Sequence, residues 1–257
     1  MTIDENVRRM LDANRELWDR RTKSHVESDF YDVTGFLLGK SSLNSYELDL
    51  VGEVQGKSLL HLQCHFGQDT LSFARMGANV VGIDFSPTAI EAANHFKTEL
   101  DLKADFYCCN VYDTREVVSN TFDIVFSSYG TIGWLPDLKR WAAVVAESLN
   151  PGGVFVFAEF HPFVWMLDDQ FVEIEHSYFN DRVIETITKG TYTGPQQLHE
   201  PLTEYGWNHP LSDVISSLLS AGLSMEIFRE HAESPYDCFP GMEKLSNGRF
   251  QFKKWAG

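Results

Sequence analysis

The sequence predicts an α/β fold: a doubly wound, mostly parallel seven-stranded sheet with helices on both faces and an antiparallel last strand, plus an N-terminal helical cap and an inserted β-hairpin. Three observations carry that reading. Between residues 57 and 162, apolar runs of strand length alternate with amphipathic stretches of helix length, the pattern of parallel strands joined by crossover helices. Within it, KSLLHLQCHFGQDTLSFARMGANVVGIDFSP (57–87) compresses a strand, a tight loop, a helix and a second strand into one βαβ unit. After Pro162 the period changes to two, as in antiparallel ladders.

The elements follow in order. Val7, Met10, Leu11, Leu17 and Trp18 recur at helical spacing over residues 5–22, and a mixed aromatic and turn-rich segment leads to a short helical run toward Leu50. Residues 1–56 therefore read as a helical cap. Strand 58–62 precedes helix 69–76, which Gly77 stops, and strand 79–83 follows. Ser86 and Pro87 are an N-cap and first-turn pair, opening a helix that carries Ile90, Ala93 and Phe96. Strands 106–109 and 122–127, helix 138–149 with its Asn150-Pro151-Gly152-Gly153 stop, and strand 154–159 complete a core over 57–162.

Residues 163–203 read as the insertion, with 171–178 and 183–192 alternating around Asn180-Asp181 as a long hairpin over the active site. The final part, 204–257, holds a helix with Ser212, Val214, Ile215, Leu218 and Leu219, a strand at 225–228, and an antiparallel edge strand at 250–255. All of this reads as one domain, since 257 residues bury a full core.

Charge and composition narrow the function. With 37 acids against 21 bases the net charge is −16, which argues against nucleic acid or anionic membrane as partner and favours a small neutral or cationic molecule. The polar start and the absence of any apolar run near 20 residues predict a cytoplasmic protein, monomeric or homodimeric. Four cysteines without CxxC spacing fit reduced thiols, and adjacent Cys108 and Cys109 point to opposite faces of a strand.

The chemistry gathers at strand ends. Segments 62–67, 83–86, 109–112 and 126–130 should line one crevice, because an open α/β sheet binds its ligand outside the carboxyl ends of its strands. Gly67 supplies a tight turn, and Asp84, about 20 residues past the loop on the next strand, suits a ribose diol. That combination points to a nucleoside. His61, Cys64 and His65 lack a matching second ligand pair, so no metal is expected.

Taken together, these segments resemble class I, Rossmann-like S-adenosylmethionine-dependent methyltransferases of the small-molecule type. The resemblance covers 57–162 well and 211–230 more loosely. It implies that Gln63, Cys64 and Gly67 belong to the loop that is glycine-rich in the family, here degenerate, with Gln63 in place of an acid and Cys64, His65 and Phe66 where glycines are usual. It further implies that Asp84, Phe85 and Ser86 meet the ribose side, Asn110 and Val111 the adenine, and Ser127 the strand-four edge of the cofactor site. The implied cofactor is S-adenosyl-L-methionine, released as S-adenosyl-L-homocysteine, and the partner is a small methyl acceptor with an O, N, S or C nucleophile.

On the acceptor side, Tyr31, Tyr129, Trp134, Tyr205, Trp207 and His209 follow strand ends or sit in the cap and the late EYGWNHP stretch. His161, just past strand five, is the candidate catalytic base where the nucleophile carries a tightly held proton. Two alternatives remain open: a protein that binds S-adenosylmethionine or another nucleoside without transferring methyl, and an NAD-dependent oxidoreductase. The second asks for bare backbone against a pyrophosphate, which Cys64 and His65 obstruct.

Overall fold

The computed structural model describes residues 4–194 and 200–253. Helices α1 (Glu5–Val26), α2 (Val33–Leu37) and α3 (Ser45–Val51) form the cap. The core runs β1 (Ser58–Leu62), α4 (Gln68–Arg75), β2 (Asn79–Asp84), α5 (Pro87–Glu99), β3 (Ala104–Cys108), α6 (Thr114–Val117), β4 (Phe122–Ser128), α7 (Leu138–Ser148) and β5 (Leu149–Ala158). An antiparallel pair, β6 (Ile184–Thr188) and β7 (Leu202–Gly206), precedes α8 (Leu211–Ser220) and the short β8 (Met242–Lys244) and β9 (Phe250–Phe252).

The central sheet has the order β3-β2-β1-β4-β5 and every pairing in it is parallel. Chain direction across the sheet reverses between β1 and β4, so the crevice opens at their carboxyl ends. Alternation along β1 divides the core: Leu59 joins the cluster containing Phe36, Phe73 and Phe126, while Leu60 and Leu62 join Ile83, Val125 and Trp141 on the other face. Both faces are apolar, which is why these strands read as continuous hydrophobic runs.

Local chemistry sets the helix ends near the crevice. The Ser86 hydroxyl accepts the Ala89 N–H with Pro87 in the first turn, as the sequence predicts. It also donates to Asp19 on α1 at 2.5 Å, and Asp19 accepts the Thr88 N–H. Further along α1, the Asn14 side chain donates to the Tyr205 carbonyl at 2.7 Å and accepts its N–H at 2.9 Å, extending the β7 edge. Arg21 pairs with Glu204 at 2.6 Å. Thus α1 is fixed between α5 and the β6–β7 ladder, over the strand ends.

Three expectations need correction. Among the described residues the central sheet has five strands, not seven. Residues 225–228 form no strand; they face β5 across a groove of about 1330 Å³ that both line, too far apart for a ladder. The last strand, β9, pairs instead with β8, because the Leu245–Arg249 turn, with Gly248 at φ 86°, closes a local hairpin at lower entropic cost than a return to the sheet. Residues 254 and 255 of the expected edge strand lie outside the described residues.

The inserted hairpin also differs. Its ladder joins 184–188 to 202–206, so it crosses the expected boundary at 203. Residues 166–176 fold on themselves instead, with Asp168 Oδ1 accepting the Val172 and Glu173 N–H groups and Leu167 bridging Ile174. The far end of the β6–β7 ladder is claimed by α1 through Asn14, a long-range contact that the period-two pattern cannot reveal.

Candidate functional site

The loop between β1 and α4 bends sharply. Gln63 and His65 adopt left-handed φ angles of 56° and 51°, and Gly67 follows at 77°. At Gly67 only glycine fits, because a Cβ would stand 2.8 Å from the Phe106 ring and 3.0 Å from Ala93. The Cys64 N–H continues the β1–β2 ladder to the Ile83 carbonyl at 2.8 Å. Its thiol is buried against Gly82, where a Cβ would come within 2.9 Å of Sγ, and burial pushes that thiol up in pKa. Only backbone is thus offered to a ligand by Cys64.

Asp84 closes this loop onto the next strand. Its Oδ2 accepts the His65 N–H and its Oδ1 the Ser86 N–H, each at 2.9 Å. Burial raises the carboxyl to about 6 against the pull of those donors, and Asp19 nearby pushes in the same direction as burial. Each oxygen has a further lone pair, so the carboxylate is held in place and can still accept from a diol.

Next to it, Leu11, Arg15, Phe85, Cys109 and Asn110 line a cavity of about 130 Å³ between α1 and the ends of β2 and β3. Asn110 also caps the turn that follows, accepting the Tyr112 N–H at 3.1 Å, while the Val111 side chain is buried in the core. Ser86 is committed to α5 and Asp19, as described. Ser127 is fully buried and donates to Thr131 at 3.2 Å, so its hydroxyl positions the neighbouring loop.

That neighbouring loop, after β4, is organised by a residue the sequence reading passed over. The half-buried Glu159 carboxylate accepts N–H groups from Gly130, Thr131, Ile132 and Phe160. Burial raises its pKa and those four donors oppose the rise. An acid directly following an apolar strand was the available signal. The loop in turn carries Tyr129, at φ 44°, and Trp134, whose indole N–H donates to the Gly130 carbonyl at 2.7 Å. Gln63 bridges the two loops, donating to the Thr131 carbonyl at 2.9 Å, and its Oε1 is buried with no partner among the described residues.

Cap aromatics complete the wall. Trp18 meets His65 and Trp134 edge-on at 5.2 and 5.3 Å, with the Arg21 guanidinium 5.7 Å from its ring centre. His25 and His65 share a hydrogen bond of 2.9 Å, and burial lowers them to about 2 and about 3, so both rings are neutral. Tyr31 stacks on His25 and shares a 2.6 Å hydrogen bond with Tyr192.

Of the residues predicted for the acceptor, Tyr31, Tyr129 and Trp134 therefore border the loops that carry Gln63 and His65. Others do not. Tyr205 is tied to Asn14 by its backbone, and Trp207 is buried with its N–H donated to the Gly133 carbonyl. His209 is buried, with Nε2 donating to the Leu135 carbonyl at 2.7 Å and Nδ1 3.3 Å from the Asn180 amide. Both of its nitrogens serve packing. His161 is exposed on the groove beside β5, paired with Glu230 at 3.0 Å while Nδ1 accepts the Phe163 N–H. That engages both ring nitrogens and leaves no lone pair for a base. His61 is likewise internal, bonded to Thr70 at 2.8 Å.

Comparison with known proteins agrees with this arrangement. Residues 60–157 match a family model described as a methyltransferase domain. An uncharacterized methyltransferase of Synechocystis is 28% identical over 130 residues, covering 50% of this chain and 59% of its own length. A ubiquinone biosynthesis O-methyltransferase of Hahella chejuensis is 26% identical, covering 62% and 64%. The chain therefore spans roughly three fifths of the length of these relatives. The crystal structure of an S-adenosylmethionine-dependent methyltransferase from Mesorhizobium loti superposes with a TM-score of 0.52 at 18% identity, over 76% of this chain and 87% of that one. Residues 60–157 are thus similar to a methyltransferase domain, and the core shares its α/β fold with that structure. Among the described residues no helix is long and apolar enough to cross a membrane.

Proposed function

We propose that the protein is an S-adenosylmethionine-dependent methyltransferase acting on a small molecule. One observation carries the reading: Asp84 is fixed by the N–H groups of His65 and Ser86 at the carboxyl end of β2, beside a cavity of about 130 Å³ at the ends of β2 and β3. The donor set fits the cofactor. Asp84 would hold the ribose diol, Phe85 and Asn110 would flank the adenine, and the unpartnered Gln63 Oε1 would accept from the methionine ammonium. A cofactor without phosphates tolerates side chains at Cys64 and His65, where a dinucleotide would want bare backbone.

Bound there, S-adenosylmethionine supplies a methyl group already activated on a sulfonium sulfur. The protein's share is then alignment and exclusion of water. Trp18, Trp134 and neutral His65 provide a dry aromatic wall, and their ring faces favour a cationic neighbour. Glu159 keeps the loop after β4, and hence Trp134, in one place. The relatives named for ubiquinone and menaquinone biosynthesis support a small acceptor rather than a macromolecule.

Calorimetric titration with S-adenosylhomocysteine, followed by methyl transfer from labelled cofactor to a panel of acceptors, tests the reading. Saturable binding with label in product supports it. No heat and no thermal shift at saturating S-adenosylhomocysteine would reject it.

A further inference from the structure

The cap helix adds two charged side chains to a cavity otherwise built from strand ends. Asp12, Arg15 and Asp19 recur at i, i+3 and i+7 along α1, so they share one face of the helix. Asp19 fastens that face to the start of α5, accepting from the Ser86 hydroxyl at 2.5 Å and from the Thr88 N–H at 3.2 Å. Asp12 and Arg15 are thereby directed over the ends of β2 and β3, where they line the cavity of about 130 Å³ together with Leu11, Phe85, Cys109 and Asn110. They approach each other only to 3.4 Å, and both side chains are about half exposed. That leaves the Asp12 carboxylate free to accept from a ligand.

Most polar groups of the strand ends are already engaged. The Cys109 N–H donates to the Asp84 carbonyl at 2.9 Å, and the Cys108 thiol donates to the Phe85 carbonyl at 3.6 Å. Asn110 is engaged on one side alone. Its Oδ1 accepts the Tyr112 N–H at 3.1 Å, which fixes the sense of the amide, and the NH2 left over has no partner among the described residues. The cavity thus combines an apolar lining from Leu11 and Phe85 with one neutral donor, Asn110, and one charged acceptor, Asp12.

We infer that Asp12 of the cap helix and Asn110 after β3 together read the base of the cofactor, selecting adenine, with Asn110 donating to N1 and Asp12 accepting from the exocyclic amine. The inference rests on the methyltransferase reading, which makes this cavity the place of the base. The choice of base rests on the two side chains. The Watson–Crick edge of adenine sets an acceptor nitrogen beside an amine donor, the complement of an NH2 beside a carboxylate. Hypoxanthine reverses both positions, with N1–H as donor and a carbonyl as acceptor. It would set N–H against NH2 and carbonyl against carboxylate, and each mismatch leaves a desolvated group without a partner. The strand-end residues alone supply only half of this selection, because the one oxygen of Asn110 is spent on Tyr112. The acceptor has to come from α1.

Calorimetric titration of the whole protein with S-adenosyl-L-homocysteine, and separately with S-inosyl-L-homocysteine, reads this directly and needs no turnover, since the two compounds differ only at the base edge. The wild type should bind the adenine compound at least about tenfold tighter, the equivalent of one hydrogen bond to a charged group. Asp12→Ala, at an exposed helical position that accepts alanine, should weaken S-adenosylhomocysteine about tenfold and leave S-inosylhomocysteine within about twofold. Asn110→Asp keeps an acceptor for the Tyr112 N–H and replaces the NH2 by an oxygen that can take the hypoxanthine N1–H, so it should also abolish the preference. Equal affinities in the wild type, or a preference that survives Asp12→Ala, would overturn the inference. If S-adenosylhomocysteine binds and the base makes no difference, only the reading of the base is refuted. If neither compound binds, the cofactor reading falls and the base selection falls with it.

Discussion

Replacing Asp84 by Asn separates cofactor binding from fold stability. In the native site both carboxylate oxygens accept backbone N–H groups, at 2.9 Å from His65 and 2.9 Å from Ser86. Asparagine keeps one acceptor and turns an NH2 toward the other donor. Hydrogen bonds to a charged group contribute about 1.5–3 kcal/mol each, so losing the charge under a ribose diol costs on the order of 3–5 kcal/mol of binding, a few hundredfold or more in Kd. Stability responds differently. The Asp84 pKa is raised from 3.8 to about 6, chiefly by burial. A raised carboxyl favours the folded state fully below its unfolded pKa, and that contribution is lost as pH rises through about 6.

At neutral pH the ionised Asp84 therefore costs the fold about 3 kcal/mol. Asparagine removes this cost and introduces a donor facing a donor, a penalty of about 1–3 kcal/mol. The two nearly offset, so the melting temperature of Asp84→Asn should change little while S-adenosylhomocysteine binding collapses. Wild-type affinity should also weaken as pH falls below about 6, where Asp84 takes up a proton. Calorimetry across that range, paired with thermal melts, gives both quantities. Unchanged Kd in Asp84→Asn, or a loss of affinity that merely follows unfolding, would refute the argument.

Other substitutions probe the scaffold. Glu159→Gln leaves one acceptor oxygen for four backbone N–H groups, so it should destabilise the protein by about 2–3 kcal/mol and shift the fluorescence of Trp134, both readable in a denaturant melt. A methyl group at Gly82 would stand 2.8 Å from the Phe106 ring and 2.9 Å from Cys64 Sγ, and Gly82→Ala should cost about 1–3 kcal/mol in urea unfolding. His61 is lowered to about 3 by burial, so its share of stability is present above an unfolded pKa near 6.5 and is lost as pH falls toward 3. His61→Gln, which can still bond Thr70, should flatten the stability profile between about pH 6.5 and 3 by up to ~1.4 kcal/mol per pH unit.

What could be read from the sequence is what closes locally. The β1-loop-α4-β2 unit, the Ser86-Pro87 helix start and the placing of Asp84 all depend on contacts within about 20 residues, and each left a residue type at a fixed spacing. The degenerate loop shows why matching glycines alone would fail. Gln63 and His65 hold left-handed backbone that glycine would adopt freely, and they are kept there by bonds to Thr131 and Asp84. The geometry of the motif survives although its letters do not. Tyr205 and His209 were read from their place in the chain, but their roles were decided by Asn14 and by Leu135, contacts of 191 and 74 residues' separation. No periodicity reports such distances. The sheet itself follows this rule: parallel neighbours linked by one crossover helix were legible, whereas 225–228 and 250–252 had several possible partners, and a short turn at Gly248 decided the second. The strand-end loops are thus written in local spacing, while the seat of the cap over them arises from long-range closure. Because Asp19 of that cap bonds Ser86 and also acts on Asp84, loop and cap meet at α1.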